Sequence, residues 1–93
     1  MKPEDLVTIV KKHDRFLRGL AGGKRANLQC ANFSGWQLAN LNFQYAILSR
    51  ADFSGATLEG TDFRFADLFS TNFNGTASDG AKFDRADLRG ARL

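Results

Sequence analysis

A four-sided β-solenoid carrying one N-terminal helix is the fold predicted by this 93-residue sequence, and three observations predict it. From Ala26 the chain divides into blocks of five, with no insertion, through Leu93. The third residue of the block is Leu or Phe in thirteen of fourteen blocks. Ahead of Ala26, apolar residues recur at helical spacing and then meet a pair of glycines.

The block has a consistent grammar. Its third residues run Leu28, Phe33, Leu38, Phe43, Leu48, Phe53, Leu58, Phe63, Leu68, Phe73, Ser78, Phe83, Leu88 and Leu93, with Leu and Phe alternating up to Phe73. The first residue is Ala in nine blocks and Thr in three, the exceptions being Trp36 and Leu41. The second is Asn or Asp in eight. A period of five fits neither a helix nor a flat strand. It fits a chain that turns a corner every five residues, pointing one large and one small residue inward. Four sides make a coil of twenty residues, so residues 26–93 give about 3.4 coils, a stack about 16 Å tall at strand spacing.

The alternation follows from this geometry. Leu28, Leu48, Leu68 and Leu88 form one ladder and Phe33, Phe53 and Phe73 the next, faced by Leu38–Leu58 and by Phe43–Phe63–Phe83. Ladders of identical side chains pack densely, and a second large residue per side would overfill the interior, which accounts for the alanines. Gly35, Gly55 and Gly75 recur every twenty residues, as expected where a corner needs positive φ.

The blocks Ala26-Asn27-Leu28-Gln29-Cys30, Ala51-Asp52-Phe53-Ser54-Gly55 and Ala86-Asp87-Leu88-Arg89-Gly90 resemble the unit of the pentapeptide repeat family over residues 26–93. That resemblance implies a right-handed quadrilateral β-helix. Trp36, Leu41 and Ser78 depart from the unit, and a bulge or loosened coil is expected at Ser78.

Residues 1–23 read as a capping helix with a Gly-Gly linker and 24–93 as the solenoid. Leu6, Ile9, Val10, His13, Phe16, Leu17 and Leu20 fall on one helical face, with Lys11, Lys12, Arg15 and Arg18 opposite. Pro3, Glu4 and Asp5 suit a first turn, and Gly22 and Gly23 are expected to end the helix. A solenoid needs its open apolar end covered, and this helix is placed to cover it. Trp36 and Leu41, in the first coil, are expected to meet Phe16 and Leu17. The order of helix, Gly22-Gly23-Lys24-Arg25 and repeats also resembles the opening of many bacterial pentapeptide-repeat proteins.

Composition limits the chemistry. The chain is 43% hydrophobic and 25% charged, ordinary for a soluble domain. No apolar run is long enough to span a membrane, and Lys11, Lys12 and Asp14 interrupt any signal-like block. The single cysteine, Cys30, forms no internal disulfide, and a reducing cytoplasm is the expected location. No zinc-ligand spacing and no glycine-rich nucleotide motif is present, so no cofactor is expected. His13 reads as a structural histidine under the cap. Asp52, Asp62, Asp67 and Asp87 read as hydrogen-bond acceptors for the turns. A convex rod offers no catalytic cleft, and the chain is expected not to be an enzyme.

What remains is surface. Tyr45, Phe65 and Arg85 fall one per coil at the same corner, and Phe69 lies just past the next inward residue. Aromatic residues with arginine make a common protein-interface signature, so an unidentified protein partner is expected there. The last coil exposes Phe83, Leu88 and Leu93 and open edges, the natural place for a homodimer contact. The family resemblance supplies an alternative, a DNA-mimicking inhibitor or protector of DNA gyrase, which requires a long acidic rod. Residues 26–93 carry six basic and seven acidic side chains, against seven and three in residues 1–25. The near-neutral solenoid disfavours mimicry. The basic head has the sign for nucleic acid, but six cations on and after one helix more often form a solvated face.

Overall fold

The computed structural model describes residues 1–93, and its organisation is set by where the backbone N–H groups go. From the second coil on, the second residue of each block donates to the coil before, as Asp52 does to the Ala31 carbonyl at 2.9 Å. Up to Phe73 the third and fifth donate to the coil after, as Phe33 does to Asp52 at 2.7 Å and Gly35 to Ser54 at 2.9 Å. The first, except at Ala26 and Leu41, closes a turn onto the carbonyl three residues back, as Trp36 does to Phe33 at 3.0 Å. The fourth is satisfied by a side chain: wherever the second residue is Asn or Asp, its Oδ1 accepts that N–H, at 2.8–3.3 Å. The Asn/Asp preference thus has a backbone cause, the Asx turn. Ten isolated parallel bridges, each joining residues twenty apart from Asn27↔Ile47 to Asn72↔Arg92, stand where long strands would stand in a flat sheet.

Inside, the rings stack down the coils. Phe33, Phe53 and Phe73 are spaced 5.3 and 5.4 Å apart, and Phe43, Phe63 and Phe83 are spaced 5.8 and 5.3 Å. The two ladders meet edge to face, with Phe53–Phe63 at 5.7 Å and Phe63–Phe73 at 5.8 Å. Both arrangements suit the ring quadrupole. Thr61 and Thr71, buried at alanine positions, donate their hydroxyls to the Leu38 and Leu48 carbonyls at 2.6 and 3.0 Å.

Helix α1 spans Pro3–Leu17 and begins with the Lys2 N–H donating to the Asp5 carboxylate at 3.1 Å. It ends earlier than the glycine pair suggests. Gly19 takes φ +69°, the Leu20 N–H returns to the Arg15 carbonyl at 2.9 Å, and the Gly19 N–H to Phe16 at 3.1 Å. This is a Schellman ending, so Leu20 lies beyond the helix and is exposed. Gly23 has a different task. A Cβ there would lie 2.7 Å from the Arg15 carbonyl carbon and the Phe16 Cα, so only glycine lets the chain pass back against the helix.

The helix lies across the first coil, with Leu6 and His13 buried. His13 accepts the Ala26 N–H on Nδ1 at 2.9 Å, and its Nε2 lies 2.7 Å from the Gln44 carbonyl. Ala26 opens the first block and has no turn behind it, so the imidazole supplies the missing acceptor. That geometry requires a neutral ring with the proton on Nε2. Burial, the largest influence, and the Arg25 charge both lower its pKa against the Gln44 hydrogen bond and Asp14.

Two further expectations change. Trp36 and Leu41 share an apolar groove of about 380 Å³ with Pro3, Leu6, Val7 and Val10, at the opposite end of the helix from Phe16 and Leu17. Phe16 instead stacks on His13 at 5.8 Å and is 40% exposed. Nor does Ser78 make a bulge. The Thr57↔Ala77 bridge, the Gly60–Asp79 hydrogen bond at 3.0 Å and the Ala81–Ser78 turn keep register through it. The backbone pairing tolerates loss of one inward side chain. At that end of the stack lies an open hollow of about 410 Å³ bounded by Phe73, Ser78, Phe83, Leu88 and Leu93.

Candidate interaction surface

The corners are where the fold constrains side chains most. Every fifth residue from Cys30 to Gly90 has a left-handed φ, between 55° and 74°, and seven of these residues are not glycine. The sequence shows the requirement at Gly35, Gly55 and Gly75 and hides it elsewhere, because bulky residues occupy the same conformation. Tyr45, Phe65 and Arg85 take φ values of 63°, 62° and 59°. Such conformations are uncommon for large side chains and cost roughly 1–3 kcal/mol each.

These residues project from one corner. Tyr45 and Phe65 stack with centroids 4.9 Å apart and planes 3° from parallel, and they remain 43% and 40% exposed. Arg85 continues the column one coil further, and the Phe65 N–H reaches the Asp84 carbonyl at 3.1 Å. Above them stands a member that the block reading missed. Arg25 precedes the first complete block, but it occupies the same register, twenty residues before Tyr45, and its Nε donates to the Tyr45 carbonyl at 2.5 Å. Extending the five-residue count one block upstream would have revealed it.

Phe69 is placed differently. It sits on the adjoining side, half-buried, with the Arg50 guanidinium 5.2 Å and the Arg89 guanidinium 5.6 Å from its ring centre. Its face is therefore occupied from within the chain. At the C-terminal end, Phe83 and Leu88 are half-buried and Leu93 is 82% exposed, around the hollow beneath Ser78. The N–H groups of Ser78, Phe83, Arg85 and Leu88 have no backbone partner there.

The titratable groups serve the fold. The Arg64 guanidinium forks onto Asp62 at 2.7 Å and Arg89 onto Asp87 at 2.8 Å. Burial raises the Asp62 pKa, but its bonds to Arg64 outweigh that and leave it low. Hydrogen bonds from Arg89 lower Asp87, and those from Ser54 lower Asp52. No group of three or more His, Cys, Asp or Glu side chains is placed to hold a metal ion. No helix is long and apolar enough to cross a membrane.

A repeating turn of this kind defines a class, the β-helix built from five-residue units, and the comparisons name it. The family model for pentapeptide repeats matches residues 24–54 and 46–77, and the chain belongs to the pentapeptide repeat family, whose fold is a right-handed β-helix solenoid. Among solved structures, alr5209, a pentapeptide repeat protein from Nostoc Pcc 7120, is 31% identical, with 89% of this chain and 73% of that one covered and a TM-score of 0.44. AT2G44920, from the Arabidopsis thaliana thylakoid lumen, is 26% identical over 71% of this chain and 63% of its own, with a TM-score of 0.37. Rfr23 from the cyanobacterium Cyanothece 51142 is 26% identical over 73% and 56%, with a TM-score of 0.30. No curated protein matches the chain in sequence.

Proposed function

We propose that this chain is a non-catalytic protein-interaction scaffold whose contact surface is the corner column of Tyr45, Phe65 and Arg85. The observation that carries the reading is the left-handed backbone beneath all three side chains. Glycine meets that requirement with less strain, and the fold uses it at Gly35, Gly55 and Gly75. Large residues held there, exposed and in register, incur a cost that the solenoid itself does not require. Aromatic and arginine side chains are also the ones that anchor protein interfaces. Phe69, clasped by two arginines, contributes to the neighbouring side rather than to the column.

The test is a paired capture experiment from the source cell, quantifying proteins held by the wild type and by Phe65→Gly. A partner retained by the first and depleted at least tenfold by the second supports the reading. Identical captures from two equally folded proteins would remove it.

A second contact, between two copies through the hollow at Phe83, Leu88 and Leu93, is favoured by unpaired N–H groups beside apolar side chains. Sedimentation over a hundredfold concentration range tests it, and a monomer throughout rules it out. Gyrase mimicry has less support, because the column and the head are basic where DNA mimicry needs acid.

A further inference from the structure

The corner column is longer than its aromatic part, and its ends carry charge. Arg25, Tyr45, Phe65 and Arg85 follow one another at twenty-residue intervals, so an arginine lies one coil step from each end of the ring pair. The chain's ion pairs are Arg18–Asp14, Arg64–Asp62 and Arg89–Asp87, so both bracketing arginines are unneutralised. Arg25 spends only Nε on the Tyr45 carbonyl, and the residue is exposed. Lys24 adds another exposed cation at the top.

The rings have the same polarity. Being 3° from parallel and stacked on each other, Tyr45 and Phe65 each cover one face of the other and keep their edges toward solvent. The edge is the positive part of an aromatic quadrupole. With centroids 4.9 Å apart, the two rings leave no gap for a nucleic-acid base to enter between them. Carboxylates suit both the guanidiniums and the ring edges, and aliphatic groups suit the apolar strip between them.

Resting on the scaffold reading above, we infer that the column binds an acidic linear peptide: two carboxylate side chains flanking an apolar centre, lying along the solenoid axis. Three coil steps separate Arg25 from Arg85, about 14 Å at strand spacing. An extended peptide covers that span in about four residues. The ligand therefore takes the form of an acid, two or three residues with apolar side chains, and a second acid. Its orientation along the axis is fixed by the two cations.

A display library of random twelve-residue peptides, selected against wild type, Phe65→Gly and Arg85→Glu, tests this. Arg85 makes no side-chain hydrogen bond, so its reversal leaves the fold intact, which a melting curve verifies. The expected outcome is enrichment of peptides with paired acids about four residues apart around apolar residues. Their affinity should fall about tenfold or more on Arg85→Glu, weaken with salt, and disappear on Phe65→Gly. Neutral or basic peptides that depend on Phe65 would overturn the acidic-ligand inference while leaving the contact column standing. Ligands indifferent to Phe65, including copies of this chain's own termini, or no enrichment at all, would overturn both.

Discussion

Two corners of this solenoid share a backbone and differ in what they carry. The column Gly35–Gly55–Gly75 has φ values of 74°, 68° and 70°, and the column Tyr45–Phe65–Arg85 has 63°, 62° and 59°. The turn asks the same of both. Glycine answers without strain, and a Cβ on Gly55 would find its nearest neighbour 4.0 Å away at Gly35 N, so space does not exclude side chains there. The difference teaches that the fold sets the conformation of a corner and leaves its side chain open, to an internal contact at Arg50, which has φ 61° and lies over Phe69, or to an exposed one at Tyr45 and Phe65. The glycine corner reports the requirements of folding, and the aromatic corner reports a use.

Several substitutions sharpen that contrast. The largest effect belongs to neither corner. Phe63→Ala, in the fully buried ring ladder, is expected to destabilise by roughly 3–5 kcal/mol in chemical denaturation, where Phe65→Gly changes stability by less than about 1 kcal/mol. Two phenylalanines two residues apart then separate into core and surface. Gly55→Phe reproduces the strained corner where no function is assigned, and a loss of roughly 1–3 kcal/mol is expected. A neutral result would mean that left-handed φ is cheap in this fold and would remove the basis for singling out the column.

Mild acidification bears first on the top of the aromatic corner, since the Asp52, Asp62 and Asp87 carboxyls are held below their ordinary value and protonate only in stronger acid. His13 is buried neutral, its pKa lowered from 6.5, so the unfolded chain binds a proton that the folded chain resists. Stability is therefore full above pH 6.5 and falls as pH drops toward the folded-state value. Protonation places a hydrogen on Nδ1, opposite the Ala26 N–H. At pH 5 the amides near His13, Ala26 and Gln44 should lose protection, relative to the intrinsic exchange rate at that pH, before those around Gly35 and Gly55, and a uniform loss would contradict this. The smallest effect is a gain: Arg85→Gly should stabilise by about 0.5–1 kcal/mol, read as a raised melting temperature.

The residues show why some of this was legible in the sequence. Inward positions obey a strict period, so Phe33 through Phe73 name the core and its ladders directly. Asn and Asp at second positions announce their hydrogen bonds because no other residue type makes an Asx turn so readily. Corners are less legible, since Tyr45 and Phe65 adopt a glycine conformation that residue identity conceals. The helix end was missed because Gly19, Gly22 and Gly23 look alike in sequence, while only Gly19 makes the cap and Gly23 the close approach. Ser78 misled because a missing side chain was read as a broken backbone, and parallel pairing every twenty residues does not depend on any one inward group. Arg25 escaped because its block lacks a recognisable third residue.

The most direct test of the central claim is the double variant Tyr45→Gly/Phe65→Gly, measured together for thermal stability and for affinity to the captured or selected ligand. Relief of two left-handed bulky residues offsets loss of their stack, so the melting curve should stay close to that of the wild type while binding is lost. A protein that melts far earlier, or one that melts normally and still binds, would show that the aromatic corner serves the fold and not a partner.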